Sequence, residues 1–350
     1  MHVTVIGAGV VGLATAMELS ERGAEVTILE RSDELGEGAC SWLAGGMLAP
    51  YCEGESAPES VVERGCKAID WWDRHAPVAR NGSLVVAPPR DAGDLDRFAA
   101  RTREGERVDE AGIASLEPDL AGRFRKGLFF AGEGHLDPRV ALAGLRDELA
   151  RRGVAIRLGV EVPPLPLAGE GWGEGAGARR PSSGAARHLL PLAGEGIVID
   201  CRGFAARDAL PELRGVRGEM LLVRTREIAL RRPVRLLHPR IPLYIVPRAE
   251  NVFMIGATMI ESADRGGMSV RSAIELLSAA YALHSAFGEA EILEMRADVR
   301  PAFPDNEPRI IERGGRLYVN GFYRHGFLLS PAFAEMAAKR VMAPALEPAQ

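Results

Sequence analysis

Three glycines and one acid near the start of the chain have the types and spacing to bind a dinucleotide. Gly7, Gly9 and Gly12 form a GxGxxG turn, and Glu30 closes the strand that follows. Gly7 permits a tight turn, Gly9 lets backbone approach a pyrophosphate, and Gly12 lets a helix pack closely on a strand. Val10 and Val11 open that helix, whose free N–H groups and partial positive charge suit phosphate. Glu30 can accept both hydroxyls of an adenosine ribose, and its charge repels a 2′-phosphate, which argues against NADP. A second segment lies near the other end of the chain, as VRPAFPDNEPRI (299–310) and NGFYRHGFLLSPA (320–332). The two ends read as halves of one cofactor site, and the closing half decides which dinucleotide is bound. A nicotinamide enzyme built on the first motif alone stays open until that half is read.

These residues need elements to hold them. Residues 2–6 read as a buried parallel strand, 10–21 as a helix and 24–29 as a second strand, which makes a βαβ unit. A glycine-rich turn in some other α/β fold would not need the acid. Residues 40–56 are rich in small side chains, and Gly45 and Gly46 would let backbone N–H groups approach a flat ring or a phosphate. A plain loop entering the next helix is an equal reading of that segment. The pattern predicts one helix over 57–76 with Trp71 and Trp72 in the core, and strands at 84–86 and 128–130. It predicts a helix from 138 to 152 with Asp137 as N-cap and Pro138 at its first position, then a strand at 154–158. Strands follow at 197–200, 216–223, 233–237, 243–247, 252–257 and 291–299, with helices at 270–286 and from 327 to 342. The fold class expected is α/β. A Rossmann-like nucleotide domain is assembled from 1–80, 135–210 and 299–345, and a β-rich second domain from 81–134 and 211–298.

Residues 163–196 break the pattern, with PLAGEG at 166–171 and again at 191–196. Pro, Gly, Ala and Ser dominate there, too little apolar surface to offset ordering entropy. The expectation is a disordered surface insertion, with no functional role for His188 or Trp172.

Composition excludes several classes. The 350 residues carry a formal net charge of −5, which gives no reason to expect nucleic acid or an anionic membrane as partner. No apolar run approaches the roughly 20 residues that span a bilayer. With a strand at residue 2, no leader is expected ahead of it. Cys40, Cys52, Cys66 and Cys201 lack metal-type spacing, so no metal is expected, and they suit buried thiols in a reducing cytoplasm.

The motifs SWLAGGMLAP (41–50), GHLDP (134–138), YIVPR (244–248), MIGATMIES (254–262), VRPAFPDNEP (299–308) and GFYRHGFLLSPA (321–332) carry a resemblance. The chain resembles the D-amino-acid oxidase superfamily of FAD enzymes, and within it the glycine oxidases of thiamine biosynthesis. The likeness covers nearly all of the chain except 163–196. It implies an FAD domain of the GR2 type under a β-rich substrate domain. It also implies substrate contacts at Arg300 and Tyr244, which match the family's carboxylate partners, and at Arg324, which matches a second arginine near substrate and flavin. FAD contacts implied are Gly7, Gly9, Val10, Val11, Gly12, Glu30, Arg31, Cys40, Ser41, Gly45, Gly46, Met47, Val162, Gly203 and the run Phe322, Tyr323, Arg324, His325, Gly326, Phe327 and Leu328. His325 stands where the family pattern has Asn. No cysteine lies in the last third of the chain, so the FAD is expected to be non-covalent.

The activity implied is oxidation of glycine, or of another small amine such as sarcosine or a D-amino acid, by hydride transfer to flavin. Oxygen then yields hydrogen peroxide, and the imine or glyoxylate feeds thiazole synthesis. A planar arginine fork suits such a carboxylate, and orientation with electrostatics is the protein's main task. Partners implied are the amine, O2, thiazole synthase and further copies of this chain. A dehydrogenase of the same superfamily using another acceptor is the alternative.

Overall fold

The computed structural model describes residues 1–36, 38–162, 196–237 and 243–343. The expected insertion, apart from Gly196, lies outside the described residues. Two main sheets carry the architecture. The first has six strands in the order Arg309–Arg313, Arg316–Asn320, Ile197–Asp200, His2–Ile6, Glu25–Leu29 and Ala155–Arg157. All its pairings are parallel except the outermost hairpin, 309–313 with 316–320. His2–Ile6 sits near the centre, so the glycine turn after it opens at the carboxyl edge where parallel α/β sheets bind ligands.

The first helix, Val10–Glu21, buries residues on every side of its first turns, including Leu13, Ala14, Ala16 and Met17. A helix apolar all round must be covered on both faces. The sheet covers one, and the helices Pro138–Arg151 and Gly326–Met342 cover the rest. Asp137 caps the former as expected, accepting from the Arg139 N–H at 2.8 Å. Each fully buried leucine here contributes about 1.5–3 kcal/mol relative to exposure.

The second sheet has nine strands. Its path runs Ile260–Glu261, Arg214–Arg224, Val252–Gly256, Leu243–Pro247, Val234–Leu236, Ser83–Val86, Lys126–Phe130 and Glu106–Asp109, and Glu291–Ala302 also pairs with Arg214–Arg224. The β-rich layer expected from the alternating stretch after 211 is therefore present. A short third sheet joins Met47–Leu48 to Gly134–His135.

Three details differ from the sequence reading. The helix expected over 57–76 is two, Glu59–Gly65 and Ala68–Asp73. At the break, a Cβ on Gly65 would lie 2.8 Å from Leu328 Cγ, so this glycine lets the last helix pack close. The strand expected at 291–299 runs to Ala302, pairing Arg300 with Val216. Residues 299–302 thus belong to the second sheet, not to the nucleotide layer assigned from 299 onward. The helices Ala92–Arg101 and Glu110–Leu116 were not anticipated at all.

Candidate active site

A long cleft runs between the two sheets, lined from Ile6, Gly7 and Glu30 at one end to Tyr244, Arg300 and Arg324 at the other. At the first end, Gly7 has φ +98°, and a Cβ there would meet the Cys201 carbonyl at 2.8 Å. A Cβ on Gly12 would fall 1.8 Å from the Gly7 carbonyl oxygen, so this glycine serves the close packing of helix on turn. Gly9 differs from both. Its φ is −74°, open to any residue, and a Cβ would find nothing nearer than Ser41 Oγ at 3.5 Å. Neither backbone nor packing demands glycine at position 9, which leaves room in the cleft as the reason. Ser41 Oγ accepts from the Val10 N–H at 3.2 Å. Glu30 is held by two backbone donors, Ala8 N–H at 2.7 Å and Ser32 N–H at 3.0 Å.

In the middle of the cleft the Gly45–Gly46 segment is fixed from below. Arg248 donates to the carbonyls of Gly45 at 2.7 Å, Ala44 at 3.4 Å and Leu136 at 3.0 Å. Burial lowers this guanidinium to about 10, which still leaves it charged at neutral pH. Gly46 has φ +70°, and Gly45 lies under the Tyr244 ring, where a Cβ would come within 2.9 Å of Cε2. Opposite stands the start of the last helix. Tyr323 N–H donates to the Pro301 carbonyl at 2.8 Å, and Trp72 Nε1 donates to the Phe327 carbonyl at 2.7 Å. The two closing motifs of the sequence, 299–308 and 321–332, therefore meet directly.

The far end is rich in charge. Arg300 donates to the Thr258 carbonyl at 3.0 Å and has no carboxylate partner among the described residues. Beneath it, a Cβ on Gly218 would lie 2.2 Å from the guanidinium. The Tyr244 hydroxyl makes no hydrogen bond among the described residues. Burial raises its pKa, opposed by Arg300 and Arg324, so it stays a donor at neutral pH. Arg324 is paired: its Nη2 lies 2.6 Å from Glu53 Oε2. Glu53 also accepts from Arg235 at 2.9 Å and contacts His325 Nε2 at 2.8 Å. Burial would raise the Glu53 carboxyl, but Arg324, His325 and Arg235 hold it well below the usual carboxylate range. Behind them sits Glu133, accepting from Cys52 N–H at 2.7 Å and from the Ser83 hydroxyl. Its burial pushes it up to about 7.

Every residue singled out from the sequence as a cofactor or substrate contact lines this cleft except Gly12, which acts through packing. Sequence reasoning missed Glu53, Arg235, Arg248 and Glu133. A signal existed for Arg235, since a charge inside an apolar strand requires a buried partner.

Residues 2–340 match the family model DAO, described as FAD dependent oxidoreductase. The chain belongs to this family. A Rhizobium etli protein, provisionally named thiamine biosynthesis oxidoreductase ThiO, is 52% identical over 98% of this chain and 97% of its own length. A Nostoc protein named bifunctional protein ThiO/ThiG is 25% identical over 99% of this chain, which spans 53% of that longer protein. A glycine oxidase of Geobacillus kaustophilus is 28% identical over 97% of this chain and 92% of its own length. A crystal structure of glycine oxidase from the same species shares the fold, with a TM-score of 0.78 at 24% identity over 99% of this chain and 95% of that one. The FAD dependence and the fold expected from the motifs are borne out.

The residues present fit FAD. The unexplained space at Gly9 lies where a pyrophosphate needs it, and the helix behind it has no side-chain cap from Gly9. Glu30, with two backbone donors, keeps lone pairs that would suit a ribose. His325 Nδ1 is buried with no partner among the described residues, an orphaned polar atom in the cleft wall that a ring edge would satisfy.

Proposed function

We propose that this FAD dependent oxidoreductase deaminates glycine oxidatively, with sarcosine and small D-amino acids as further candidate substrates. Arg300 carries this reading. It is half-buried in the cleft wall with no acidic partner among the described residues, and the unbonded Tyr244 hydroxyl lies within its electrostatic reach. Four other cleft arginines, Arg202, Arg235, Arg265 and Arg324, are each paired with a carboxylate. Arg31 is exposed at the adenosine end. An unpaired buried guanidinium is costly unless a ligand supplies the anion.

The Arg300 fork and the Tyr244 hydroxyl hold the substrate carboxylate, which fixes the Cα–H against the ring end of the cleft. The excess of Arg300, Arg235 and Arg324 over Glu53 disfavours an ammonium group, so the substrate amine reacts neutral. When bound, FAD would supply the two-electron acceptor for the departing hydride and the route of those electrons to O2, with H2O2 as product. Water hydrolyses the resulting imine to glyoxylate and ammonia. The first turn of Gly326–Met342 presents its N–H groups to the ring end, where they stabilise developing negative charge. Burial and the neighbouring Asp200 push the Cys201 thiol up, which keeps this cleft cysteine protonated. The ThiO and ThiO/ThiG names of relatives support delivery of the product to a thiazole synthase.

The test is a panel of glycine, sarcosine and D-alanine under air on the yellow holoenzyme, with peroxide detection. Glycine-dependent peroxide is expected. Activity on another amine without any on glycine, or amine-dependent flavin bleaching that yields no peroxide, would replace the glycine oxidase reading.

A further inference from the structure

The charged end of the cleft holds more cations than one carboxylate substrate needs, and one acid decides which of them is free. Glu53 is buried in the wall. Its Oε1 takes Arg235 Nη2 at 2.9 Å, and its Oε2 takes both Arg324 Nη2 at 2.6 Å and His325 Nε2 at 2.8 Å. Arg324 is held further by Ser56 Oγ, which accepts from the same Nη2 at 2.6 Å. Among the described residues its Nη1 faces only Met259 Sδ at 3.7 Å, and its side chain keeps 22% of its surface exposed to the cleft. Arg324 is therefore placed to receive an anion, but its inner face is already engaged by Glu53. Arg235 pairs with the same carboxylate from the buried side, and its Nε has no partner among the described residues.

We propose that Glu53 is a specificity-determining residue: by pairing Arg324 and Arg235 it leaves Arg300, among the described residues, as the one open guanidinium at the substrate end. The site then takes amines with a single carboxylate and discriminates against those carrying a second acidic group. This rests on the amino-acid reading of the site given above. A second carboxylate would have to shed its water against a guanidinium already occupied by Glu53, whose own charge repels it. Removing that charge while keeping the side-chain shape frees Arg324 as a second anion receptor.

The experiment uses holoenzyme with FAD bound and follows the visible flavin spectrum during titration with acetate and with malonate, a one-carboxylate and a two-carboxylate probe. In Glu53→Gln the preference for malonate over acetate should rise about tenfold or more over wild type, the scale of one close charge pair. An unchanged preference overturns the proposal. Arg324→Gln in the wild-type background is the second variant. Because Arg324 is already engaged by Glu53, its loss should leave the malonate-to-acetate preference within about twofold. A selective tenfold loss of malonate binding there means Arg324 receives anions in the wild type, and the proposal fails. If Glu53→Gln does not retain flavin, the Arg324→Gln result decides alone. Turnover adds a second arm: kcat/KM for iminodiacetate relative to glycine should rise in Glu53→Gln. Should no amine be oxidised by any variant, the function proposed above fails, while the two-probe titration still tests the role of Glu53.

Discussion

Replacing Arg300 with leucine should raise the KM for glycine by two orders of magnitude while FAD stays bound. The side chain sits on the strand Glu291–Ala302 with one hydrogen bond to the protein, to the Thr258 carbonyl at 3.0 Å, so few structural contacts are lost. Leucine is also smaller than the fork that presses on Gly218, so no overpacking follows. What disappears is the partner of the substrate carboxylate in a part-desolvated wall. Removing one side of such a pair costs roughly 2–5 kcal/mol, and about 3 kcal/mol corresponds to a factor of about 150. Because the same contact exists before and during reaction, the loss should fall mainly on KM, with kcat less affected. Arg300→Lys keeps the charge but not the bidentate fork and should recover only part of the loss. Peroxide-coupled kinetics and the flavin-to-protein absorbance ratio read both quantities. An unchanged KM, or lost flavin with normal kinetics in what remains, would refute the assignment.

Glu30→Ala removes the acceptor of the Ala8 and Ser32 N–H groups together with the ribose partner, so FAD affinity should fall about tenfold or more while KM for the amine barely moves; flavin retention on dialysis checks it. Gly9→Ala should leave the melting temperature of the apoprotein within about 2 °C of wild type yet weaken FAD, because φ −74° and a 3.5 Å neighbour tolerate a methyl group. Gly12→Ala, facing a carbonyl oxygen at 1.8 Å, should instead lower apoprotein stability by more than about 2 kcal/mol. Glu133 titrates at about 7 because burial raises it from 4.5, so ionising it destabilises the fold progressively as pH climbs from 4.5 and fully above 7. The magnitude is of order 3 kcal/mol, and Glu133→Gln should therefore gain stability relative to wild type at pH 8 compared with pH 5. Denaturant titrations of both proteins at the two pH values would show no such crossover if Glu133 is ionised throughout.

The cofactor half of the site was legible because its signals are local. Glycines at fixed spacing, a helix and an acid at a strand end sit within one βαβ unit, and each is tied to its role by backbone geometry. Arg300 and Tyr244 could be picked out only through longer motifs, since an arginine before proline or a tyrosine in an apolar strand has bland explanations. Glu53 was out of reach for a different reason. Its meaning lies in Arg235, Arg324 and His325, partners brought to it by the meeting of three distant chain segments. The same holds for Gly65 at the end of the first short helix, where Leu328 leaves no room for a Cβ. The helix Ala92–Arg101 is amphipathic but short, and its period was masked by flanking loop residues.

The strand Leu243–Pro247 leaves Tyr244 at the carboxylate end of the cleft and delivers Arg248, just beyond it, to the carbonyls of Ala44 and Gly45. One stiff, centrally paired ribbon thus grips both ligands' surroundings. Thermodynamic reciprocity then applies: whatever factor bound FAD adds to the affinity for a carboxylate, a bound carboxylate adds to the retention of FAD. A simple acid that cannot react should slow the escape of the flavin, and stripping the flavin should blunt the protein's grip on that acid by the same ratio.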